Sequence, residues 1–214
     1  MTIKLHAFPP SPRGFKVLAV AAQLGIPYEF VFVDLTAGVQ KSPEFTAKNP
    51  NQRMPVLEED GFFLWESDAI SQYLASKKPD SGMLPKDEKG RADVNRWMFW
   101  GGAHWDPACA TLIFERFVKA MFGGGGPDPK EVEKGLTSFN RLAGILNAHL
   151  KGRKFVMGDQ LTVADFTLGA PLIMAEPAGL PVQDYPEIVR WYAQLSALPA
   201  WQSALAMGQM PQAA

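Results

Sequence analysis

The side chains best suited to chemistry stand at the starts of two predicted helices. Ser11 and Pro12 fit the N-cap and the first position of one helix, and Ser67 fits the N-cap of another. A helix N-terminus presents free backbone N–H groups and the positive end of the helix dipole, so both positions favour an anion. Glu66, directly before Ser67, can accept hydrogen bonds from an ammonium group. These residues predict a binding site for a small peptide that carries a carboxylate.

A second candidate for ligand binding is the loop that contains Met54 and Pro55. An X-Pro peptide bond prefers the trans form by only about 0.5–1 kcal/mol, so a packed turn can hold this bond in cis. That geometry would turn the backbone N–H and C=O of Met54 outward, where an extended ligand can pair with them like an added strand. The alternative is a loop that shapes the fold and binds nothing.

The elements that position these residues follow from apolar periodicity and turn signals. They are strands at residues 3–7, 28–32, 55–57 and 62–65, and helices after Ser11, near Pro43 and after Ser67. Asp60-Gly61 is a hairpin signal between the last two strands. The order βαβαββα over residues 1–78, with the first two strands parallel, predicts an α/β thioredoxin-like N-terminal domain.

The rest of the chain lacks strand signals. Residues 79–86 are rich in proline and turn residues, which predicts a linker. Residues 87–214 carry helical patterns, so we expect an all-α helical bundle as the C-terminal domain. Within it, Thr162 and Asp165 form a capping-box pattern, in which the Asp165 carboxylate reaches back to the backbone N–H of Thr162. This box serves folding rather than chemistry.

Composition limits the classes of function. The 214 residues are 47% hydrophobic, and the net charge of −1 does not favour nucleic acid or an anionic membrane as a partner. No apolar run approaches the roughly 20 residues of a membrane span, and the first residues lack a signal-peptide pattern. The single cysteine, Cys109, excludes an internal disulfide, fits a reducing cytoplasm and is expected to be a buried apolar residue. The three histidines lack ligand spacing, so no metal site is expected.

Several segments carry a family resemblance, namely SPRGFKV, NPNQRMPVLE with WESDAI, and TVAD. In these segments the chain resembles the cytosolic glutathione transferases of serine type, in a phi/theta-like bacterial or plant-like class. The resemblance implies a cytoplasmic homodimer with a role in detoxification, glutathione as co-substrate and no other cofactor. It also implies that glutathione is bound by Lys41, Arg53, Met54, Pro55, Glu66 and Ser67. Arg53 departs from the Gln or Lys that the family often has.

By the same resemblance, Ser11 is the catalytic residue. A thiol with a pKa of about 8.5 is only a few per cent ionised at pH 7. Lowering this pKa by about two units, worth roughly 2.7 kcal/mol, makes the thiolate the main species. A hydrogen bond from the Ser11 hydroxyl and the positive end of its helix can supply this together. The alternative is that Ser11 only caps the helix.

The resemblance further implies that the helical domain supplies a pocket for an apolar electrophile, which the glutathione sulfur attacks. The candidate pocket residues are Phe8, Pro10, His104, Phe114 and Phe117. Trp97, Gly101 and His104 are expected to share one helical stripe, with core packing as the alternative. The expected function is a glutathione transferase. Alternatives are a glutathione-dependent peroxidase, reductase or isomerase, or a non-catalytic module that binds glutathione or a partner.

Overall fold

Four strands form one mixed sheet in the computed structural model, which describes residues 2–209. The strands are β1 (Ile3–Ala7), β2 (Tyr28–Phe32), β3 (Val56–Glu59) and β4 (Phe62–Trp65). Their order across the sheet is β2-β1-β3-β4. β1 runs parallel to β2 and antiparallel to β3, and Leu5 lies opposite both Phe30 and Leu57. The predicted hairpin between β3 and β4 is confirmed, since φ is +49° at Asp60 and +81° at Gly61, as a type I′ turn requires.

Three helices complete the predicted βαβαββα order, which is confirmed. They are α1 (Pro12–Gln23), α2 (Pro43–Lys48) and α3 (Ser67–Ser76). Phe45 of α2 packs with Val56 on one face of the sheet. Tyr73 of α3 donates a hydrogen bond to Glu59, and the alternation of side chains along β3 places Glu59 on the opposite face from Val56. Helices therefore cover both faces of the sheet.

The helices of the second compact unit, Pro85–Ser196, follow one another along the chain. They are α4 (Glu88–Trp100), α5 (Asp106–Ile113), α6 (Lys119–Met121), α7 (Pro129–Leu150), α8 (Val163–Gly169) and α9 (Pro186–Ser196). The predicted all-α helical bundle is thereby confirmed. None of the helices within residues 2–209 is long and apolar enough to cross a membrane.

Two π turns join α4, α5 and α6. They span Gly101–Trp105 and Phe114–Val118. A π turn adds one residue to the helical repeat, so the side chains that follow it are rotated out of the α-helical register. At Gly101 a Cβ would lie 2.8 Å from the Thr167 side chain of α8, so a glycine is needed where the two helices approach each other.

The last helix, α10 (Pro199–Gln209), packs on α1 in the first unit. Trp201 is fully buried, and its ring centroid lies 4.7 Å from that of Phe15 in α1. The hydroxyl of Tyr28 also approaches the sulfur of Met207 at 3.5 Å. The core of the first unit is therefore built from both ends of the chain.

The chain divides into two compact units, and this division differs from the predicted domain boundaries in the C-terminal residues. The first unit runs to Leu84 and resumes at Ala197, whereas 87–214 was predicted as one helical domain. Residues 210–214 of that range lie outside the described residues. The physical reason for the difference is that helical periodicity locates a helix but does not indicate which core it completes. The predicted linker, 79–86, spans the division between the two units.

The Asp165 carboxylate is the buried acceptor at the start of α8. It accepts hydrogen bonds from the backbone N–H groups of Val156 (2.8 Å) and Thr162 (2.9 Å) and from Nε1 of Trp191 (3.0 Å). The bond between Thr162 and Asp165 confirms the predicted contact of the capping box. Burial raises the pKa of Asp165 to about 6, which still leaves the carboxyl mostly ionised at pH 7. The three bonds are therefore charge-assisted.

We expect Asp165→Asn to lower the free energy of unfolding by about 3 kcal/mol. The asparagine amide keeps only one acceptor oxygen. Its NH₂ group cannot accept hydrogen bonds, so the N–H donors that face it lose their acceptor. Urea unfolding followed by circular dichroism measures the change. Asp159→Asn is the matched control, because Asp159 is exposed, and it should change the free energy by less than about 0.5 kcal/mol. Equal effects of the two substitutions would contradict the role of Asp165.

Candidate functional site

The register of the sheet gathers the predicted site residues at one end. Val56, the first residue of β3, lies opposite His6 near the end of β1 and opposite Trp65 at the end of β4. Neighbouring strands lie about 4.8 Å apart, so the loops that leave β1 and β4 and the loop that enters β3 meet here. β2 runs parallel to β1 and ends at the same side. The segments that start or finish here carry Ser11, Lys41, Arg53, Met54, Pro55, Glu66 and Ser67.

Ser11 occupies the N-cap of α1, as predicted. Its N–H donates to the carbonyl of Phe8 at 3.0 Å, and its carbonyl accepts from the N–H of Phe15 at 2.8 Å, so the backbone is fixed on both sides. Among the described residues, the Ser11 hydroxyl caps no N–H group of the first turn. Within residues 2–209, the hydroxyl at this N-cap position is therefore not engaged in a side-chain cap. The half-buried side chain stands at the positive end of α1.

Gly14 lets α1 begin tightly against the loop that precedes it. A Cβ at this position would lie 2.4 Å from the carbonyl oxygen of Phe8, which is too close for any side chain. The Phe8 ring packs against Phe32, with 5.8 Å between the ring centroids, and Pro10 is exposed. The contact at Gly14 was not predicted. The sequence feature that could have indicated this contact is the glycine itself, because glycine is otherwise unfavourable in a helix.

The Met54-Pro55 bond is cis, as predicted. The buried side chain of Asn49 holds the loop before it, because its Nδ2 donates to the carbonyl of Arg53 at 2.6 Å and its Oδ1 accepts from the N–H of Asn51 at 3.0 Å. The side chain of Met54 packs on an apolar cluster formed by the sheet and α2. Arg53 itself is exposed. The sequence predicts a turn at Asn49, but only the structure shows that its amide connects both ends of that turn.

Helix α3 begins at Ser67, and Glu66 is its N-cap. The prediction that Ser67 is the N-cap is therefore wrong by one residue, because the chain leaves β4 at Trp65 and turns into the helix at once. Glu66 takes a φ of +71°, which is rare for a residue with a Cβ and needs support from its surroundings. Ser67 is only 7% exposed and stands beside the free N–H groups of the first turn, whereas Glu66 is exposed.

A buried ion pair connects the two helices that carry Ser11 and Ser67. Lys16 of α1 is 5% exposed, and its ammonium group donates to the carboxylate of Asp68, the second residue of α3. This pair was not predicted. Its signal is a lysine within the apolar run FKVLAV, at a position where helical periodicity places a buried side chain.

The segment that contains Lys41 is anchored to the sheet through α2. Lys48 of α2 donates to the carboxylate of Glu58, and Nε2 of His6 lies 2.9 Å from the same carboxylate. The bond from Lys48 is the main cause that holds the pKa of Glu58 below its ordinary value, and burial lowers the pKa of His6. Lys41 is exposed. Beside it, Oε1 of Gln40 is buried without a hydrogen-bond partner within residues 2–209, so Gln40 offers an acceptor that was not predicted.

The predicted pocket residues of the second unit lie in its π turns. His104 belongs to the first of them, and Phe114 and Phe117 belong to the second. His104 is exposed, Phe114 is 50% exposed and Phe117 is half-buried. The expected stripe of Trp97, Gly101 and His104 is wrong, because Trp97 and Gly101 are buried and the π turn rotates His104 away from them.

Cys109 is a core residue of α5, as predicted. Burial raises the pKa of its thiol well above the ordinary value, and a protonated thiol is a poor nucleophile. In the part of the chain that the structure describes, no group of three or more His, Cys, Asp or Glu side chains is arranged to hold a metal ion.

Comparison with known proteins gives a consistent result over nearly the whole chain. The family model of the glutathione S-transferase N-terminal domain matches residues 1–76, and that of the C-terminal domain matches residues 105–199. Glutathione S-transferase 3 of Zea mays is 33% identical over 98% of this chain and 96% of its own length. Glutathione transferase F7 of Populus trichocarpa superposes with a TM-score of 0.88 at 30% identity, covering 98% of this chain and 100% of its own. A glutathione transferase of Burkholderia graminis was crystallised with two glutathione molecules per subunit. It superposes with a TM-score of 0.84 at 28% identity, covering 98% of this chain and 90% of its own.

Gly14→Ala should lower the free energy of unfolding by about 2 kcal/mol, because the new methyl group overlaps the Phe8 carbonyl and displaces the loop that carries Ser11. The control is Gly144→Ala in α7, where nothing beyond the adjoining residues and backbone of the helix itself lies within 4 Å of the added Cβ. That substitution should raise the free energy of unfolding by about 0.5–1 kcal/mol through helix propensity. Chemical denaturation of both variants measures these two changes in the free energy of unfolding, which should have opposite signs. Stabilisation by Gly14→Ala would contradict the close approach of Gly14 to the Phe8 carbonyl.

Proposed function

The chain belongs to the glutathione S-transferase family and is a glutathione transferase, and from this premise we propose that Ser11 stabilises the thiolate of bound glutathione. The observation that carries the proposal is the place of the Ser11 hydroxyl, at the positive end of α1 and, within the described residues, not used as a cap. A hydrogen bond from this hydroxyl and the field of the helix end together supply the roughly 2.7 kcal/mol that lowers a thiol pKa by about two units. The thiolate then becomes the main species at pH 7.

The other parts of glutathione are assigned to the neighbouring loops. The Ser67 hydroxyl and the N–H groups of the first turn of α3 bind the γ-glutamyl carboxylate, and Glu66 accepts from the γ-glutamyl ammonium. The backbone of Met54, which lies at the entry to β3, pairs with the cysteinyl part of the peptide as an added strand would. The exposed cations Lys41 and Arg53 bind the glycine carboxylate. The shared end of the sheet, where all these loops meet, supports the assignment.

The second substrate is an apolar electrophile, and the second unit contributes contacts to it. Phe114, half of whose side chain is exposed and so available to a ligand, is one of these contacts. Phe117 and His104 are further contacts. The thiolate forms a carbon–sulfur bond. In a displacement the leaving group departs with its electron pair, and in an addition the carbanion that forms takes a proton from water. Holding both reactants together supplies the rest of the rate increase.

A second candidate function is glutathione-dependent disulfide reduction. It is favoured by the Burkholderia graminis relative, which was crystallised with two glutathione molecules per subunit. In this reaction the thiolate of one glutathione attacks a disulfide, one thiol leaves, and a second glutathione resolves the mixed disulfide to give glutathione disulfide and the second thiol. The three activities can be ranked with one protein preparation. The measurement is its turnover of an aromatic halide, an organic hydroperoxide and a small disulfide.

Ser11→Ala tests the role of the hydroxyl directly. We expect glutathione to bind within about twofold of the original affinity, while the pKa of its thiol rises by about one unit or more, because a hydrogen bond to a charged group is lost. The measurement is the ultraviolet absorbance of the bound thiolate as a function of pH. At pH 7 the rate with an aromatic halide should fall at least about threefold, because a rise of one unit lowers the ionised fraction of the thiol by that factor.

Ser203→Ala is the matched control, because Ser203 is exposed on α10, and it should leave the thiolate titration unchanged. An identical titration in the original protein and Ser11→Ala would remove Ser11 from the mechanism. Glutathione binding without turnover of any electrophile, hydroperoxide or disulfide would indicate a non-catalytic binding module instead.

We also propose that the protein works as a homodimer in the cytoplasm, where glutathione keeps thiols such as Cys109 reduced. The edge strand β4 exposes three aromatic side chains. They are Phe62 (49% exposed), Phe63 (37%) and Trp65 (39%). Phe62 lies on one face of the sheet and Phe63 and Trp65 on the other, so both sides of this edge are aromatic, and a two-fold axis would cover the edge of both copies.

Phe62→Asp should convert the dimer to a monomer, because two desolvated carboxylates would face each other near the two-fold axis. Light scattering should then give the 23.5 kDa of one chain instead of twice that mass. Phe122→Asp is the control, since Phe122 is 56% exposed in the second unit and lies outside the proposed interface. A monomeric original protein, or a Phe62→Asp variant that stays dimeric, would contradict the interface at β4.

A further inference from the structure

Two consecutive charged residues in the second π turn, Phe114–Val118, bind other parts of the second unit. The first is Glu115, which is only 7% exposed. Its Oε2 accepts from the backbone N–H of Asp128 at 2.7 Å and from Nζ of Lys119 at 2.9 Å. The bond from Asp128 is the main cause that holds the pKa of Glu115 below its ordinary value. Because Asp128 is the N-cap of α7, Glu115 connects the π turn to the start of that helix.

The second charged residue, Arg116, connects the same turn to a different segment. Its Nη1 donates to the carbonyl of Gly179 at 2.6 Å and to that of Ala178 at 3.3 Å. Ala178 is 1% exposed, so the guanidinium binds a part of the chain that is itself packed in the core. The π turn is therefore fixed at two neighbouring positions, by a carboxylate that accepts from one segment and a guanidinium that donates to another.

The conformation of this turn decides how two aromatic side chains are presented. Phe114 precedes Glu115 and Phe117 follows Arg116, so the two rings flank the two fixed positions. A π turn is rare, is frequent at functional sites, and holds one more residue than a turn of an α-helix. If the segment relaxed to the α-helical repeat, the directions of Phe114 and Phe117 relative to each other would therefore change.

We propose that Glu115 and Arg116 are positioning residues that set the specificity for the electrophile, because they hold Phe114 and Phe117 in the arrangement of the π turn. The inference deepens the proposed function and rests on it, since it requires the electrophile to contact these two rings. Phe114 is 50% exposed whereas Glu115 is buried, so the carboxylate acts from beneath the surface that a ligand would reach. Residues that only stabilised the fold would leave the choice between electrophiles unchanged in the folded protein.

The test compares two benzyl halides with the same reacting carbon and leaving group, one unsubstituted and one with a para-alkyl chain. In the original protein the ratio of their kcat/KM values should favour the alkyl-bearing halide, because its chain is buried against apolar side chains. In Glu115→Ala and Arg116→Ala this ratio should fall about fourfold, the change expected when the contacts of one CH₂ group are lost. The KM for glutathione and the titration of its bound thiolate should not change.

Glu115→Gln is the conservative variant. Both bonds end on Oε2 of Glu115, and the oxygen of a glutamine amide can accept them at the same place. The ratio of the two kcat/KM values should therefore be retained. Glu133→Ala and Arg141→Ala are the matched controls for loss of a carboxylate and of a guanidinium, because both residues are exposed on α7. They should also leave the ratio unchanged.

Two results would overturn the inference. One is an unchanged ratio in either alanine variant whose circular dichroism shows that it is folded. The other is a loss in Glu115→Gln as large as that in Glu115→Ala, because the bond from Asp128 would then not be what holds the turn. If Glu115→Ala fails to fold, Arg116→Ala decides alone, since Arg116 is only half-buried and its two bonds end on backbone carbonyls.

Phe114→Ala separates failure of this inference from failure of the proposed function. If Phe114→Ala lowers the ratio and the folded alanine variants of Glu115 and Arg116 do not, only the role of these two residues is overturned. If none of the three substitutions changes the ratio, the electrophile binds elsewhere, and both its assignment to the π turn and the inference fall. If the original protein turned over neither halide, the proposed transferase reaction would fall together with the inference. A lower ratio in all three variants, with retention in Glu115→Gln, supports the inference.

Discussion

The candidate site depends first on the pairing register of three strands. Val56 stands between His6 and Trp65 across the sheet, and this alignment brings the end of β1, the start of β3 and the end of β4 to one edge. A slip of one residue in either pairing would turn Val56 from the apolar cluster toward the opposite face, so burial of Val56 fixes the register. The proposed recognition of glutathione by loops from distant parts of the chain depends on this register, which is not free to change.

Local backbone constraints then place the functional groups on that framework. The close approach at Gly14, the amide of Asn49 and the positive φ of Glu66 each fix one loop of the three. These residues can position the functional groups without contacting a ligand themselves. Side chains that would bind glutathione, such as Ser11 and Ser67, are short, so their precision comes from the backbone beneath them.

The sequence alone was sufficient for the order of elements, and the loops that carry the candidate site residues meet at one end of the sheet. Apolar alternation, the Asp60-Gly61 turn and the box at Thr162 and Asp165 each follow from local chemistry, and local chemistry is what a sequence displays. The errors have a different origin. The N-cap of α3 was misplaced by one residue because serine is the better cap by preference, while the geometry of the turn after β4 selected Glu66.

Non-local contacts account for what was missed. The partner of Lys16 lies 52 residues away, so the apolar run FKVLAV indicates that Lys16 is buried but does not indicate which residue pairs with it. The π turn at Gly101–Trp105 was also missed, since an α-helical period was assumed through Gly101 and His104. The family resemblance supplied the roles of Lys41 and Arg53, whose exposed side chains carry no local signal of function.

The burial of Trp201 against Phe15 also affects how the protein is made. The strands of the first unit precede the second unit along the chain, whereas the helix that covers α1 follows the second unit. Until that helix leaves the exit tunnel of the ribosome, the face of α1 around Phe15 lacks its cover and is open to chaperones or to aggregation. Folding of the first unit therefore finishes only after the second unit has been synthesised, even though most of the first unit is synthesised before it.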